Sequence, residues 1–241
     1  MKNLFLFCCL LFALKSSFAQ DTLYYYENGC LAPTAEGAST IAVVLKNNPN
    51  DAAATVIEYY KSGLKKSEIY YSNYEWKYLD KQYNQWYENG QIKIQANYEN
   101  RLLDGAVRTY WEDGTKKRED VYSKNVLING KCWDKEGNEI PHFDYQTKAQ
   151  LTFNVNEHVK KNIKYPKKAI DTKKAERIIT QFTISKDGNV CNIRTLGNPN
   201  KHLASECIRV IKLMPNCIPA TLDGENVASK FVYPINFTLS N

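Results

Sequence analysis

Cysteine and histidine are the side chains of this sequence that could carry nucleophilic or metal chemistry, and their spacing argues against both. No two cysteines stand in a Cys-x-x-Cys arrangement, so the chain lacks a thioredoxin-like pair and the usual half of a zinc site. A metal site could be assembled only from residues whose gaps match no standard ligand spacing: Cys191, His202, Cys207 and Cys217.

Five cysteines follow residue 19, and we interpret them as buried structural residues: Cys30, Cys132, Cys191, Cys207 and Cys217. One disulfide among the last three is the alternative, and an odd number leaves at least one thiol unpaired. The three histidines, His142, His158 and His202, have no partner motif such as His-Glu-x-x-His. Gly-x-Ser-x-Gly and a phosphate-cradling glycine loop are missing from the sequence as well. We therefore predict a non-enzymatic protein without a cofactor; an undetected hydrolase is the remote alternative.

The first 19 residues have the organisation of a secretory signal. Lys2 supplies a positive start, residues 4–14 are apolar, and Ser17-Phe18-Ala19 ends in small residues that signal peptidase accepts. Cleavage is expected before Gln20, in a bacterial protein exported to the periplasm and associated, in one interpretation, with the outer membrane. No apolar run reaches the roughly 20 residues of a spanning helix, so no membrane span is expected after cleavage.

Charge and aromatic content divide the remaining chain in two. Residues 21–145 carry 15 Lys and Arg against 19 Asp and Glu, whereas residues 146–241 carry 15 against 7. All four tryptophans and 15 of the 17 tyrosines precede residue 146. We predict a signal peptide (1–19), an N-terminal extended or β segment (20–57), a repeat sheet (58–145) and a C-terminal domain (146–241).

A repeat occupies the first half. Four segments match one another, each with aromatic residues followed by a polar turn ending in glycine and a return strand, and their glycines are Gly63, Gly90, Gly114 and Gly137. In the first three segments the aromatic residues form a pair and the return carries a lysine. Because glycine supplies the positive φ of tight turns, each unit predicts a β-hairpin, and several side by side predict an antiparallel meander. Residues 24–29 are interpreted as a degenerate first copy.

These units, which cover residues 58–140, resemble the MORN-type repeat in its variant with Tyr-Tyr-x-Asn-Gly-x-x-Lys spacing. The resemblance implies a scaffold or a protein-binding surface and assigns no catalytic residue. The Tyr and Trp side chains are interpreted as core and cross-strand packing, with a ligand-stacking platform as the alternative.

The second half predicts short helices around a small sheet. Val155, Val159 and Ile163 share a helical face behind a capping Asn154, and Pro166 suits the first turn of another helix. Residues 178–184 and 190–196 alternate as strands around an Asp-Gly turn. A helical stripe over residues 203–214 ends at Pro215, and residues 231–239 form the clearest strand pattern of the chain.

Residues 155–239 resemble the TonB C-terminal domain. The resemblance lies in Tyr165-Pro166-x-x-Ala169, Phe182-x-Ile184-x-x-x-Gly188-x-Val190, Met214-Pro215 with Pro219-Ala220, and Pro234-Ile235-x-Phe237. It implies two helices packed on a three-stranded antiparallel sheet. The whole chain is therefore predicted to be α+β, with an antiparallel meander followed by this small domain.

Pro234 lacks an amide hydrogen, which predicts that its strand lies at a sheet edge or at an interruption of the ladder. The resemblance implies that such a domain binds peptide segments of outer-membrane receptors by strand addition. The candidate peptide-binding residues are Phe231, Val232, Tyr233, Pro234, Ile235, Asn236 and Phe237. The alternatives are an edge that is only protected by Pro234 and Lys230, or one paired in a homodimer.

We therefore predict an exported cell-envelope protein that binds an outer-membrane receptor or another envelope protein, in TonB-linked transport or outside it. The alternative is a structural or oligomeric envelope scaffold without a transport role. The basic residues of the second half are scattered as lysine pairs, which predicts a solvated face and no nucleic-acid partner, with attraction to anionic envelope surfaces as the alternative.

Overall fold

The computed structural model describes residues 19–170 and 176–238. They form two compact units. The first contains the described residues up to Tyr25 together with Ala32–Phe143, and the second contains Tyr26–Leu31 and the described residues from Asp144 onward. The predicted signal lies outside the described residues except for Ala19, which begins the first strand.

The first unit is built around one long sheet whose order is β11-β10-β9-β8-β7-β6-β5-β4-β3-β1-β2. From β3 to β11 consecutive strands pair antiparallel, while β1 pairs with β3. The strands are β1 (Ala19–Tyr25), β2 (Leu31–Ala32), β3 (Thr40–Lys46), β4 (Ala54–Tyr60), β5 (Lys65–Asn73), β6 (Tyr78–Trp86), β7 (Ile92–Glu99), β8 (Leu102–Tyr110), β9 (Lys116–Ser123), β10 (Val126–Trp133) and β11 (Glu139–Ile140).

The same turn recurs at every repeat glycine. At Gly90, the amide of Gly90 donates to the carbonyl of Tyr87, and the amide of Tyr87 donates to Gln91, at 3.0 and 2.8 Å. The turns at Gly29, Gly63, Gly114 and Gly137 have the same two bonds, and each of the five glycines has a φ between +84° and +88°. An L side chain rarely adopts this conformation, which explains the fixed glycine of the repeat.

Adjacent repeats are joined by the aromatic residue before each turn. The hydroxyl of Tyr60 donates to the carbonyl of Trp86, that of Tyr87 to Tyr110, and the indole of Trp111 to Trp133, over 2.7 to 3.3 Å. Six residues beyond each of these aromatics, a lysine lies over its ring, as Lys93 does over Tyr87 at 5.1 Å. The repeat aromatics therefore pack within and between hairpins.

The second unit contains a three-stranded antiparallel sheet with order β14-β13-β17. Its elements are β12 (Gln146–Thr147), α1 (Val155–Asn162), α2 (Lys167–Ile170), β13 (Glu176–Ile184), β14 (Val190–Thr195), α3 (Lys201–Lys212), β15 (Ala220–Leu222), β16 (Glu225–Val227) and β17 (Ser229–Phe237). The long meander followed by this small helical and sheet domain confirms the predicted α+β fold.

The helices of the second unit lie where the sequence predicts them, although α3 begins at Lys201 and ends at Lys212, two residues before Met214. The side chain of Asn154 accepts hydrogen bonds from the amides of Asn156 and Glu157, which caps α1. Asn200 caps α3 in the same way. The stripe of α3, with Leu203, Cys207 and Val210, is fully buried against the sheet residues Ile178, Phe182 and Ile235.

Two features of this unit were not predicted. The short strands β15 and β16 form a second sheet with β12. Cys30 and Cys191 form a disulfide, with their Cα atoms 6.0 Å apart. The prediction of buried, unpaired cysteines therefore holds for Cys132, Cys207 and Cys217 but is wrong for this pair, and the alternative of a disulfide within the last three cysteines is also wrong.

The disulfide holds the loop Tyr26–Leu31 within the second unit. The amide of Leu31 donates to the side chain of Asn192, and the amide of Lys186 donates to the carbonyl of Asn28, at 2.8 and 3.1 Å. A Cβ at Gly29 would collide with Ala228, so the loop packs closely there. No described helix has the length and apolar character required to cross a membrane.

Candidate peptide-binding edge

The strand β17 is the outermost strand of its sheet in the described part of the chain. All nine of its residues are in register with β13, from Glu176 opposite Phe237 to Ile184 opposite Ser229. No other described strand pairs with its opposite side. The predicted site residues 231–237 therefore lie on one continuous strand that has a single neighbour.

The hydrogen-bonding direction along β17 follows from Ile179, which faces Pro234. The carbonyl of Ile179 accepts the amide of Leu196, at 2.9 Å, on the β14 side. In an antiparallel ladder the N–H and C=O of one residue point to the same neighbour, and successive residues alternate. Pro234 therefore directs its carbonyl away from β13, and so do Val232 and Asn236.

This alternation gives the open side of β17 a defined pattern of backbone groups. Val232 and Asn236 each present an N–H and a C=O, whereas Pro234 presents only a C=O. Phe231, Tyr233 and the other odd-numbered residues use their backbone groups on β13. Because the proline lies at an outward-facing position, it interrupts the open edge without removing a bond from the sheet.

The side chains of the seven predicted residues divide between the two faces of the sheet. Ile235 and Phe237 are buried in the core, and Phe231 and Tyr233 pack against it. The ring of Phe231 stacks on Phe182, with centroids 5.7 Å apart. On the opposite face, Asn236 is exposed, Pro234 is half-buried, and Val232 retains 42% of its surface.

The helix α1 and the turn that follows it contact β17 at two points. The hydroxyl of Tyr233 donates to the side-chain oxygen of Asn156, and the rings of Tyr165 and Phe237 meet edge to face at 5.4 Å. Burial raises the pKa of the Tyr233 hydroxyl, which therefore stays a donor at neutral pH. No role was predicted for Asn156 from the sequence, although its position one residue after the start of α1 could be predicted.

The chain after α1 is fixed to α3 by Glu206. Its Oε1 accepts the amide of Lys164, at 2.6 Å, and a guanidinium N–H of Arg209, at 2.7 Å. Burial raises the pKa of this carboxyl, but the hydrogen bonds from Arg209 and Lys164 lower it by more, so its net pKa is below the usual value. An ionised Glu206 thus holds the Tyr165-Pro166 segment in place.

The structure does not bring together the four residues considered as metal ligands, Cys191, His202, Cys207 and Cys217. Cys191 is in the disulfide, and no group of three metal-ligating side chains occurs among the residues that the structure describes. Burial raises the pKa of Cys207 to about 11 and also raises that of Cys217. His158 donates from Nε2 to the carbonyl of Val210, at 3.1 Å, which joins α1 to α3.

His142 belongs to a buried polar cluster of the first unit. Its Nε2 lies 3.0 Å from Asp120 Oδ1 and 3.1 Å from Arg118 Nη1. Arg118 and Asp120 are fully buried and bond to each other at 2.7 Å, and Tyr122 also donates to Asp120. Gly130 covers this histidine and carboxylate so closely that a Cβ there would lie 2.8 Å from His142 Nε2. The buried charges of the cluster are satisfied by one another, as in a structural element.

Comparison with known protein families supports the C-terminal resemblance. A family model described as Gram-negative bacterial TonB protein C-terminal matches residues 161–239, a range that includes β13, β14, α3 and β17. Neither the curated proteins nor the solved structures gave a significant match. The matched family is a non-enzymatic protein-interaction domain, and its presence supports a TonB-like protein of the cell envelope.

Proposed function

We propose that this chain is an exported, non-enzymatic envelope protein whose second unit binds peptide segments of outer-membrane transport or receptor proteins. The binding mode is strand addition to the open side of β17. The single observation that carries the proposal is the outward direction of the backbone at Val232, Pro234 and Asn236, on an outermost strand of a TonB-like domain. An added strand would hydrogen-bond to groups that the sheet itself does not use.

The proposal is tested by Val232→Pro in the full chain. This change removes one outward N–H but no bond to β13, so binding should weaken about fivefold while folding is retained, because each lost hydrogen bond costs about 1 kcal/mol. The matched control is Val232→Thr, which keeps the N–H and the branched shape. Binding of peptides from periplasmic plug segments is measured by fluorescence anisotropy, and the site is located by hydrogen exchange.

Two results would reject this function. Equal affinities for Val232→Pro and Val232→Thr would show that the outward backbone is not used. Peptide-induced protection confined to residues outside β17 would place binding elsewhere on the chain.

We further propose that the first unit is a MORN-type scaffold. The recurring turn hydrogen bonds and the aromatic contacts between successive repeats support this assignment. These contacts use the residues that define the repeat in the sequence, so the meander supplies an extended surface without a reaction centre.

A second candidate function, an oligomeric scaffold, is favoured by β10. This strand pairs with β11 only at Cys132 and Trp133. Residues 126–130 carry no charge, and Val126 and Ile128 are 62% and 63% exposed. Uncharged, apolar strand edges pair readily with a second copy. Sedimentation should then show a dimer that Ile128→Lys dissociates; a monomeric wild-type protein at micromolar concentration excludes this function.

A further inference from the structure

The open side of β17 is flanked by one side of α1. Across the second unit, α3 contacts β14 and β13, while Asn156 of α1 reaches Tyr233 on β17. The order of the helices therefore follows the order of the strands, with α1 above the outermost one. The flank of α1 that faces away from α3 lies toward the open side of the sheet.

The residues on each side of α1 follow from its contacts. His158 bonds to Val210 of α3, and the carbonyl of Asn162 accepts from Arg209, so these positions face α3. Val159 is buried toward the core. Because each helical residue advances by roughly 100°, Asn156 and the residue four positions later share the remaining flank. That residue is Lys160.

Lys160 is exposed and lies one helical turn beyond Asn156. Four residues of helix advance about 6 Å, which corresponds to roughly two residues along a strand. Since Asn156 contacts Tyr233, the ammonium of Lys160 extends beside the open edge at about the level of Ile235. Lys161, the next residue, is also exposed but points away from both the sheet and this flank.

The surroundings of this flank are predominantly positive. The segment 158–170 contains five lysines and no acidic residue, and β17 contains one lysine and no acidic residue. The acidic residue of α1, Glu157, lies three positions before Lys160 and forms no ion pair with it. Lys160 forms no ion pair with any of the described residues. A strand added to β17 would therefore place its helix-facing side chains beside a cation that forms no ion pair among the described residues.

We propose that Lys160 is a specificity-determining residue that selects an extended peptide with a carboxylate side chain on its helix-facing side. This inference rests on the proposed strand addition at β17. The carboxylate, from Asp or Glu, pairs with the ammonium of Lys160 while the peptide backbone bonds to Val232, Pro234 and Asn236. An exposed pair of this kind favours the charged peptide about two- to fivefold.

The test uses the full chain and acetylated, amidated seven-residue probes made of alternating Thr and Val, with Glu, Gln or Lys at the centre. Dissociation constants are measured by fluorescence anisotropy at low salt for the wild type, Lys160→Glu and Lys161→Glu. The wild type should bind the Glu probe about two- to fivefold more tightly than the Gln probe. Lys160→Glu should reverse this preference and bind the Lys probe best, whereas Lys161→Glu, the matched control, should keep the wild-type order.

The outcomes separate the two proposals. Equal affinity of the wild type for the Glu and Gln probes overturns the role of Lys160 but leaves strand addition in place. Equal effects of Lys160→Glu and Lys161→Glu also overturn it, because they indicate only a general charge effect. If neither probe binds to the wild type at any salt concentration, strand addition itself is rejected, and the inference with it.

Discussion

The two units differ in how far apart in sequence their contacting residues lie. In the first unit, strands from β3 to β11 pair with their immediate neighbours in sequence, and the same turn and aromatic contacts recur at each repeat. In the second, β13 pairs with β17, some 50 residues later, and Cys30 bonds to Cys191 across 161 residues. The first unit is specified locally, whereas the second depends on distant segments meeting.

Each unit also has one polar feature that a substitution can test. The first unit buries Arg118 and Asp120 in its interior, where they satisfy each other. The second leaves the backbone of an outermost strand turned outward. The buried pair contributes to the stability of the first unit, whereas the outward backbone groups of β17 are not used by the sheet of the second unit. The following changes test this comparison.

The largest effect is expected from Asp120→Asn in the first unit. The change keeps the shape but leaves the buried Arg118 without its counter-charge, which costs about 3–5 kcal/mol. Urea unfolding followed by tryptophan fluorescence measures this unit, because all four tryptophans belong to it. The control is Glu139→Gln, in an exposed pair with Lys131, which should change stability by less than about 1 kcal/mol. Equal losses in both variants would contradict a structural role for the cluster.

Loss of the disulfide should act on the other unit. Cys30→Ser with Cys191→Ser is expected to destabilise the second unit by about 2–5 kcal/mol, since the bridge restricts a long loop in the unfolded chain. Hydrogen exchange at β13 and β14 measures the change, and tryptophan-detected unfolding should shift by less. Each single variant should match the double, because either one breaks the bond. A larger shift in the tryptophan signal than in β13 exchange would invert the comparison.

The same type of turn occurs in both units, at Gly90 and at Gly188, so the stability cost of a glycine substitution can be compared between them. Gly90 and Gly188 have φ values of +88° and +82° and the same pair of turn hydrogen bonds. Nothing lies within 4 Å of a Cβ at Gly90, whereas a Cβ at Gly188 would collide with the carbonyl of Cys217. Gly90→Ala should cost about 1 kcal/mol from the backbone alone, and Gly188→Ala about 2–4 kcal/mol. Similar losses in chemical unfolding would remove this distinction.

The smallest effect tests the link between repeats. Tyr87→Phe removes the hydroxyl that donates to Tyr110 at 2.9 Å, and should cost about 1 kcal/mol. Tyr110→Phe is the control, because its hydroxyl has no hydrogen bond among the described residues. The midpoint of urea unfolding, followed by tryptophan fluorescence, distinguishes them, and a larger loss in the control would show that these hydroxyls do not join the hairpins.

Sequence reasoning predicted the parts of the fold that local signals specify. Gly63, Gly90, Gly114 and Gly137 located the hairpins because each turn requires its glycine. The strand β17 was predicted from its alternation, and Pro234 indicated an edge because proline cannot donate to a ladder. The three-residue strands β15 and β16 were missed, since so few residues cannot show a period.

Two of the missed contacts join residues that are far apart in sequence. Cys30 and Cys191 could not be paired, because spacing alone does not determine connectivity. Asn156 gave no signal of its contact with Tyr233, because a helix face becomes assignable only when its neighbours are known. The cluster around Asp120 was missed for a different reason: Arg118, Asp120 and Tyr122 alternate on one face, but charged residues gave no indication that this face is buried.

The bond between Cys30 and Cys191 also provides a covalent path along which a pulling force can bypass the chain between the two cysteines. If residues 25 and 237 are pulled apart, tension crosses the sulfur atoms, and the segment between the two cysteines carries no load. That segment includes every strand from β3 to β11, so the repeats are spared from stretching while the bridge is intact. Reduction would release roughly 550 Å of additional chain, at about 3.4 Å per residue.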